Sequence, residues 1–299
     1  MHFQGAKSKV ENMSKFNYAG KSSVGMLDIE ILSMINWREK DLVIAGYPKC
    51  GTNIIQNIVY QLHTDGDVSY DNIRKVIPVF GHTKVNLSRE EELRAFDKLP
   101  SPRALKTHFP PPILPFRSNV NYLVTVRNIL DVPISLMHFQ NSFSDEIRNH
   151  WGVPVYNDLY EMMDDYDSFI GYFNLLEAWL PYRKEPNVLF VHFNDMKKDM
   201  ASYIKKIAAF IGVDIDDLEL FDKICSQCSF EWMKKNQHKF EFAPDGSRFL
   251  KEGGLIREGK IGSNSKELPH DIKNKLQTML NEKLPDNIRY WVTNGGKLL

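Results

Sequence analysis

Residues 41–60, DLVIAGYPKCGTNIIQNIVY, constrain this chain more than any other stretch. Leu42-Val43-Ile44-Ala45 is a short apolar run and reads as a buried strand. From Asn53 to Tyr60, Ile54, Ile55, Ile58 and Val59 recur at helical spacing. Between them lies Gly46-Tyr47-Pro48-Lys49-Cys50-Gly51-Thr52. A strand, a tight turn and a helix N-terminus make an anion site. The turn's N–H groups face inward, the helix dipole favours negative charge, and Lys49 adds a full positive charge. A Walker A loop, G-x-x-x-x-G-K-[ST], sets its lysine after the second glycine. Gly46 and Gly51 keep that separation here, but Lys49 precedes Gly51 and Thr52 follows it directly.

Further along, three more strands are expected at Ala104–Thr107, Asn121–Val126 and Val188–Val191. Helices are expected near Ser88–Phe96, from Ile129 to Phe139 with Pro133 in the first turn, and at Tyr166–Leu180. A long amphipathic helix is read over Asp195–Ile211, closed by Gly212. Asp214–Ile224, Ser229–Lys235, Pro269–Leu280 and Asp286–Val292 read as further helices. Residues 140–166 and 236–265 carry no clear period, and residues 1–40 are read as a surface segment preceding a domain over 41–299. Strands alternating with helices predict an α/β fold: one domain, with a mainly parallel central sheet flanked by helices. Ligands in such folds bind outside the carboxyl ends of the strands. Lys49, Lys106, His108, Arg127, Asn194 and Asp195 follow strands and are therefore the first candidates.

Composition narrows the classes. The 299 residues are 42% hydrophobic and 25% charged, with no formal net charge. Nothing in that balance suggests nucleic acid or an anionic membrane as a partner. No apolar run approaches the ~20 residues that span a bilayer, and MHFQGAKSKVENMSK lacks the apolar core of a signal peptide. The three cysteines, Cys50, Cys225 and Cys228, make no disulfide framework. Cys225-x-x-Cys228 lacks a second ligand pair at zinc spacing and follows an amphipathic stretch, not a strand. These thiols read as core or site-lining groups in a reducing compartment, and no metal is expected.

His108, in Lys106-Thr107-His108, titrates near neutrality and suits removal of a proton from a nucleophile, or else is simply packed. Arg127 at a strand end, with Ser135 on the following helix, can clamp a second phosphate or merely cap the strand. Leu255–Gly262 is a glycine-rich basic loop of the kind that closes over anions.

Together these segments resemble the cytosolic sulfotransferases over most of the chain. YPKCGT resembles that family's 5′-phosphosulfate loop, YPKSGT; LKTHFP resembles its LKTHLP; and YLVTVRNILDVPISLMHF resembles its YVARNAKDVAVSYYHF. The resemblance implies transfer of a sulfuryl group from 3′-phosphoadenosine 5′-phosphosulfate (PAPS) to a hydroxyl or amine of a small acceptor, leaving 3′-phosphoadenosine 5′-phosphate (PAP). It implies that His108 is the base, with Lys49 and Lys106 also catalytic. It implies that Lys49, Cys50, Gly51, Thr52 and Asn53 meet the 5′ end, that Ile54 falls at the adenine, and that Arg127 and Ser135 hold the 3′-phosphate. Arg257, Glu258 and Gly259 fall in the family's RKGxxGDW segment, with Glu258 replacing a lysine and Asn264 a tryptophan. Phe80, His82, Phe139, Phe143, Trp151, Tyr156 and Phe242 lie in segments that line the acceptor pocket, and suggest a flat or apolar acceptor.

The adenine site departs from the pattern. Ile54 stands for a stacking tryptophan, Phe193 for a tyrosine and Cys228 for a threonine, while Phe230 is kept. Each lost neutral hydrogen bond should weaken donor binding by about 0.5–1.5 kcal/mol. The family's dimer motif is not recognisable in SKELPHDIKN, so monomer and homodimer both remain open. The resemblance also implies a cytoplasmic location. An alternative from another class is a divergent PAP- or PAPS-binding protein with little or no transferase activity. The lysine position and the missing metal carboxylate argue against a P-loop kinase.

Overall fold

Every residue of the first strand, β1 (Leu42–Gly46), is buried, because it runs through the middle of a sheet covered on both faces. The structure, a computed structural model, describes residues 20–256 and 262–299. Within these, β1 pairs in parallel with β2 (Ala104–Thr107) and β3 (Asn121–Val126), and β3 pairs in parallel with β4 (Val188–His192). The strand order is β2-β1-β3-β4. Ala45 lies opposite both Thr107 and Val124, and Val126 lies opposite His192. All the carboxyl ends therefore open at one edge, where Lys49, His108, Arg127 and Phe193 leave the sheet.

The side chains of β1 alternate between two apolar layers. Val43 and Ala45 join Leu105, Val124, Leu136, Tyr172 and Trp179 on one face. Leu42 and Ile44 join Leu123 and Val191 on the other, under Ile55, Ile58 and Leu62 of the helix Thr52–His63 and Ile204 and Ile207 of the helix Met200–Ile211. The expected strands and the single parallel sheet are thus present. Ser88 caps the helix Arg89–Asp97 through a capping box with Glu91.

Four stretches differ from expectation. Residues 140–166 contain two helices, Asp145–Trp151 and Leu159–Asp165, started by the side chains of Ser144 and Asp158. Those caps were visible in the sequence, but the dense aromatic residues hid the period behind them. The helix read over Asp195–Ile211 is two, Phe193–Lys198 and Met200–Ile211. Asp199 breaks it at φ −141°, ψ 75°, and caps the second piece by accepting from Ser202 N–H. The helix expected from Tyr166 begins at Ile170, after Asp167, Ser168 and Phe169 at positive φ. In the N-terminal segment, Ile31 and Leu32 are fully buried in the main core, so this part packs into the domain.

A buried ion pair joins the starts of two paired strands, β1 and β2. Asp41, just before β1, and Arg103, just before β2, are almost wholly inaccessible. Their contact is bidentate, at 3.1 and 2.6 Å. Arg103 also donates to Asp97 and to the Asn36 carbonyl. Removing one partner of a buried pair strands the other charge. Arg103→Ala is expected to lower the unfolding free energy by about 3–5 kcal/mol, read from urea denaturation. A loss below about 1 kcal/mol would mean that the pair behaves like an exposed one.

Candidate active site

The loop after β1 is shaped by contacts that leave room for little else. At Gly46, a Cβ would lie 2.2 Å from Thr125 Oγ1 and 2.7 Å from the Thr125 carbonyl. At Gly51, with φ 101°, it would lie 2.6 Å from the Phe193 ring. Between them Lys49 sits at φ 67°, a conformation that costs a non-glycine residue about 1–3 kcal/mol and that gathers at functional sites. Cys50 N–H donates to the Tyr47 carbonyl at 3.2 Å, and Arg127 Nη1 donates to the Lys49 carbonyl at 3.2 Å. Gly51, as N-cap of the helix Thr52–His63, supplies no side-chain cap. Ile54 N–H donates to the Gly51 carbonyl at 3.1 Å, and the earlier amides of this turn are left to serve an incoming anion.

Two cavities, of about 190 and 70 Å³, meet at this edge of the sheet. The larger is lined by Lys49, Gly51, Thr52, Asn53, Ile54, Lys106, Arg127, Ser135, Phe193, Cys228 and Phe230, all expected from the sequence. The smaller is lined by His82, Phe139, Phe143 and Trp151 among others. Pro48, Lys106, His108 and Phe139 border both. The side chains proposed for proton and group transfer thus stand in the shared wall.

The larger cavity gathers cations away from water. Lys49, Lys106, Arg127 and Lys197 line it, and no Asp or Glu among the described residues does. Burial, and then the Arg127 charge, push Lys49 down to about 7. Its ammonium lies 4.3 Å from the Phe139 ring centre, a contact that partly offsets desolvation. Burial, with Arg74 and Lys49 beside it, holds Lys106 well below the ordinary lysine range. Lys106 donates to Asn53 Oδ1 in the first helical turn. Arg127 sits 4.6 Å over the Phe193 ring. The desolvation of such a cluster would be offset by a compact polyanion.

His108 Nδ1 is 2.6 Å from the Gly46 carbonyl. A carbonyl only accepts, so Nδ1 carries the proton and Nε2 is the nitrogen able to take another. Burial first, then Lys106 and Arg74, hold His108 at about 3, against the raising effect of its bond to Gly46. His82 meets it edge-on, with ring centres 5.8 Å apart.

Several expected residues lie elsewhere. Cys50 points into the core, its thiol pushed up to about 12 by burial. Phe80 is fully buried against Phe96 and lines neither cavity. Phe242 packs under Arg248, and Tyr156 donates to Asp165. Arg257, Glu258 and Gly259 lie outside the described residues. Lys197, His138 and Met233 line the larger cavity without having been singled out. Lys197 was findable: it lies one helical turn beyond Phe193, on the same helix face. Arg74, in the smaller cavity, sits on the short helix Ile73–Val76, which leaves no periodic signal.

The adenine-side departures have a physical setting. Phe193 is held between Gly51 and Arg127. Cys228 is buried, with Asn57 Nδ2 at 3.7 Å from its sulfur. Lys197 lies 5.3 Å from the Phe230 ring centre. Apolar rings, a thiol and one cation therefore form this wall.

Comparison with known proteins gives one consistent answer. Human sulfotransferase 1E1 is 30% identical over 253 residues, covering 82% of this chain and 81% of that protein. Sulfotransferase 1B1 of Canis lupus familiaris is 30% identical over 263 residues, covering 85% of this chain and 84% of its own length. Mouse sulfotransferase SULT7A1 complexed with PAP shares the fold with a TM-score of 0.67 at 21% identity, over 92% of this chain and 95% of that one. Retinol dehydratase in a complex with retinol and PAP reaches a TM-score of 0.70 at 18% identity, over 85% and 84%. The profile described as Sulfotransferase domain matches residues 39–287, and the chain belongs to this family, the PAPS-dependent sulfotransferases.

Proposed function

We propose that this sulfotransferase joins donor and acceptor at the wall shared by its two cavities, with the following division of work among its residues. His108 takes the proton of the acceptor's hydroxyl or amine at Nε2, since Nδ1 is held by Gly46. Lys49 and the loop amides hold negative charge that develops on the departing bridging oxygen. Lys106 faces the group in transit. Arg127 and Ser135 bind the 3′-phosphate, with Arg257 and Gly259 as further partners, while Ile54, Phe193, Cys228 and Phe230 receive the adenine. The donor set fits: two anionic groups on one nucleotide answer a cavity with four cationic side chains and no carboxylate in its lining. A sulfuryl group carries less negative charge in transit than a phosphoryl group, so lysine and backbone donors suffice.

The carrying observation is that Lys106 and His108 border both cavities at once. The acceptor is a small molecule with an apolar or aromatic body, received by Phe139, Phe143, Trp151 and His82. No helix among the described residues is long and apolar enough to cross a membrane, and the cysteines are free, which fits a reducing cytoplasm.

Two measurements test this reading. His108→Ala should lower turnover by about 10²–10⁴-fold while keeping PAP affinity near wild type. Labelled-sulfate transfer to phenol, alcohol and amine panels reads the first, and calorimetry with PAP the second. Wild-type turnover in this variant would remove the base. PAP binding by the wild type without any labelled product would favour a nucleotide-binding protein instead.

The second measurement concerns pH. Lys49 titrates at about 7 before an anion binds, and an adjacent phosphate raises that value. Above 7 the binding reaction therefore takes up a proton, and affinity falls as pH rises, by up to about tenfold per unit. Below 7 the lysine is already charged and this dependence vanishes. Calorimetry of PAP in buffers of different ionisation enthalpy should detect the uptake, and Lys49→Met should reduce it.

A further inference from the structure

The smaller cavity is not uniformly apolar. Phe139, Phe143, Trp151 and Phe249 form one side of it, while Arg74, Lys84 and Lys106 bring positive charge, and no Asp or Glu among the described residues lines it. Two of these cations are accounted for. Lys84 pairs with Glu92 at 3.1 Å and donates to the Val79 and His82 carbonyls. Lys106 donates to Asn53 at the junction with the donor cavity.

Arg74 differs. Its guanidinium carbon lies 3.7 Å over the Phe249 ring centre. Among the described residues no carboxylate pairs with it, and its side chain makes no hydrogen bond. Burial alone lowers it, to about 10, with no acidic neighbour to offset the cost. A planar guanidinium with one face on a ring keeps its N–H edge for another partner. Its backbone is held in place. Asn72 accepts from Arg74 N–H at 2.9 Å and donates to the Ala243 carbonyl at 2.8 Å. That bond joins the helix Ile73–Val76 to the segment that carries Ala243, Pro244 and Phe249, the facing wall of the same cavity. The arginine is thus fixed inside the acceptor cavity before any acceptor arrives.

We propose that Arg74 selects the acceptor: this enzyme prefers aromatic acceptors that carry an anionic group, a carboxylate above all, besides the hydroxyl or amine that is sulfated. The proposal rests on the transferase reading above and adds the acceptor's charge to it. The aromatic side of the cavity takes the ring, the guanidinium takes the carboxylate, and the nucleophile is directed to His108. The preference is the opposite of what an apolar pocket alone imposes, since a purely apolar pocket rejects a charged acid in favour of its neutral ester.

The test compares hydroxyphenylalkanoic acids with their methyl esters as acceptors, by labelled-sulfate transfer, in wild type, Arg74→Gln and Arg74→Lys. The wild type should favour acid over ester by about tenfold or more in kcat/KM, chiefly through KM. Arg74→Gln should bring that ratio to one or below. Arg74→Lys, which keeps the charge but not the fork, should retain part of it. The ratio is internal to each variant, so a general loss of activity does not mimic the result. An ester preferred by the wild type, or a preference that survives Arg74→Gln, overturns the proposal. An equal fall in kcat for acid and ester also overturns it, because that marks Arg74 as serving the sulfuryl group. Calorimetry of the acid with wild type and Arg74→Gln, with and without PAP, separates the two readings. If no acceptor is turned over yet the acid binds through Arg74, the transferase reading fails and the anion site stands.

Discussion

The carboxyl edge of the sheet is governed by positive charge drawn largely out of water. Lys49, Lys106, Arg127 and Lys197 line one cavity with no carboxylate among them. Desolvation acts on each lysine in the same direction, toward the neutral form. Such a site is costly in isolation and becomes favourable when a polyanion fills it. Nucleotide binding and the charge state of the catalytic groups are therefore one problem. Burial, with Lys106 and Arg74 nearby, holds His108 at about 3. Negative charge arriving in the cavity acts in the opposite direction and raises the basicity of that imidazole.

The scaffold makes this arrangement possible. A fully buried parallel strand ends at Gly46, whose contacts with Thr125 allow no side chain. The chain then turns through Lys49 at positive φ and enters a helix with no side-chain cap. The strain and the open amides are tolerated because both flanks are rigid. The Asp41–Arg103 pair anchors the start of the strands, and two apolar layers clamp the sheet. Arg127 then ties the end of β3 to the loop by donating to the Lys49 carbonyl.

One wall of the larger cavity is built from apolar rings, a thiol and one cation. Phe193, lacking the hydroxyl of a tyrosine, still fills the space between Gly51 and Arg127. Lys197, one turn along, approaches Phe230 and contributes a cation that motif matching did not point to.

The sequence by itself determined the parallel sheet, the loop and most of the residues that line the larger cavity. These rest on local patterns: apolar runs, a glycine spacing, and polar residues placed just after strands, which the carboxyl-end rule turns into a site. It did not determine which aromatics face the acceptor. Phe80 and Phe143 look equivalent in sequence, yet one is packed on Phe96 and the other lines the cavity, since orientation in loops is set by distant contacts. Nor did it single out Arg74. A charged residue on a four-residue helix has no periodicity to mark it, and its significance lies in the absence of a carboxylate from the surrounding lining. That absence is a property of three-dimensional neighbours, because desolvation and pairing are decided by what packs around a charge and not by what precedes it in the chain.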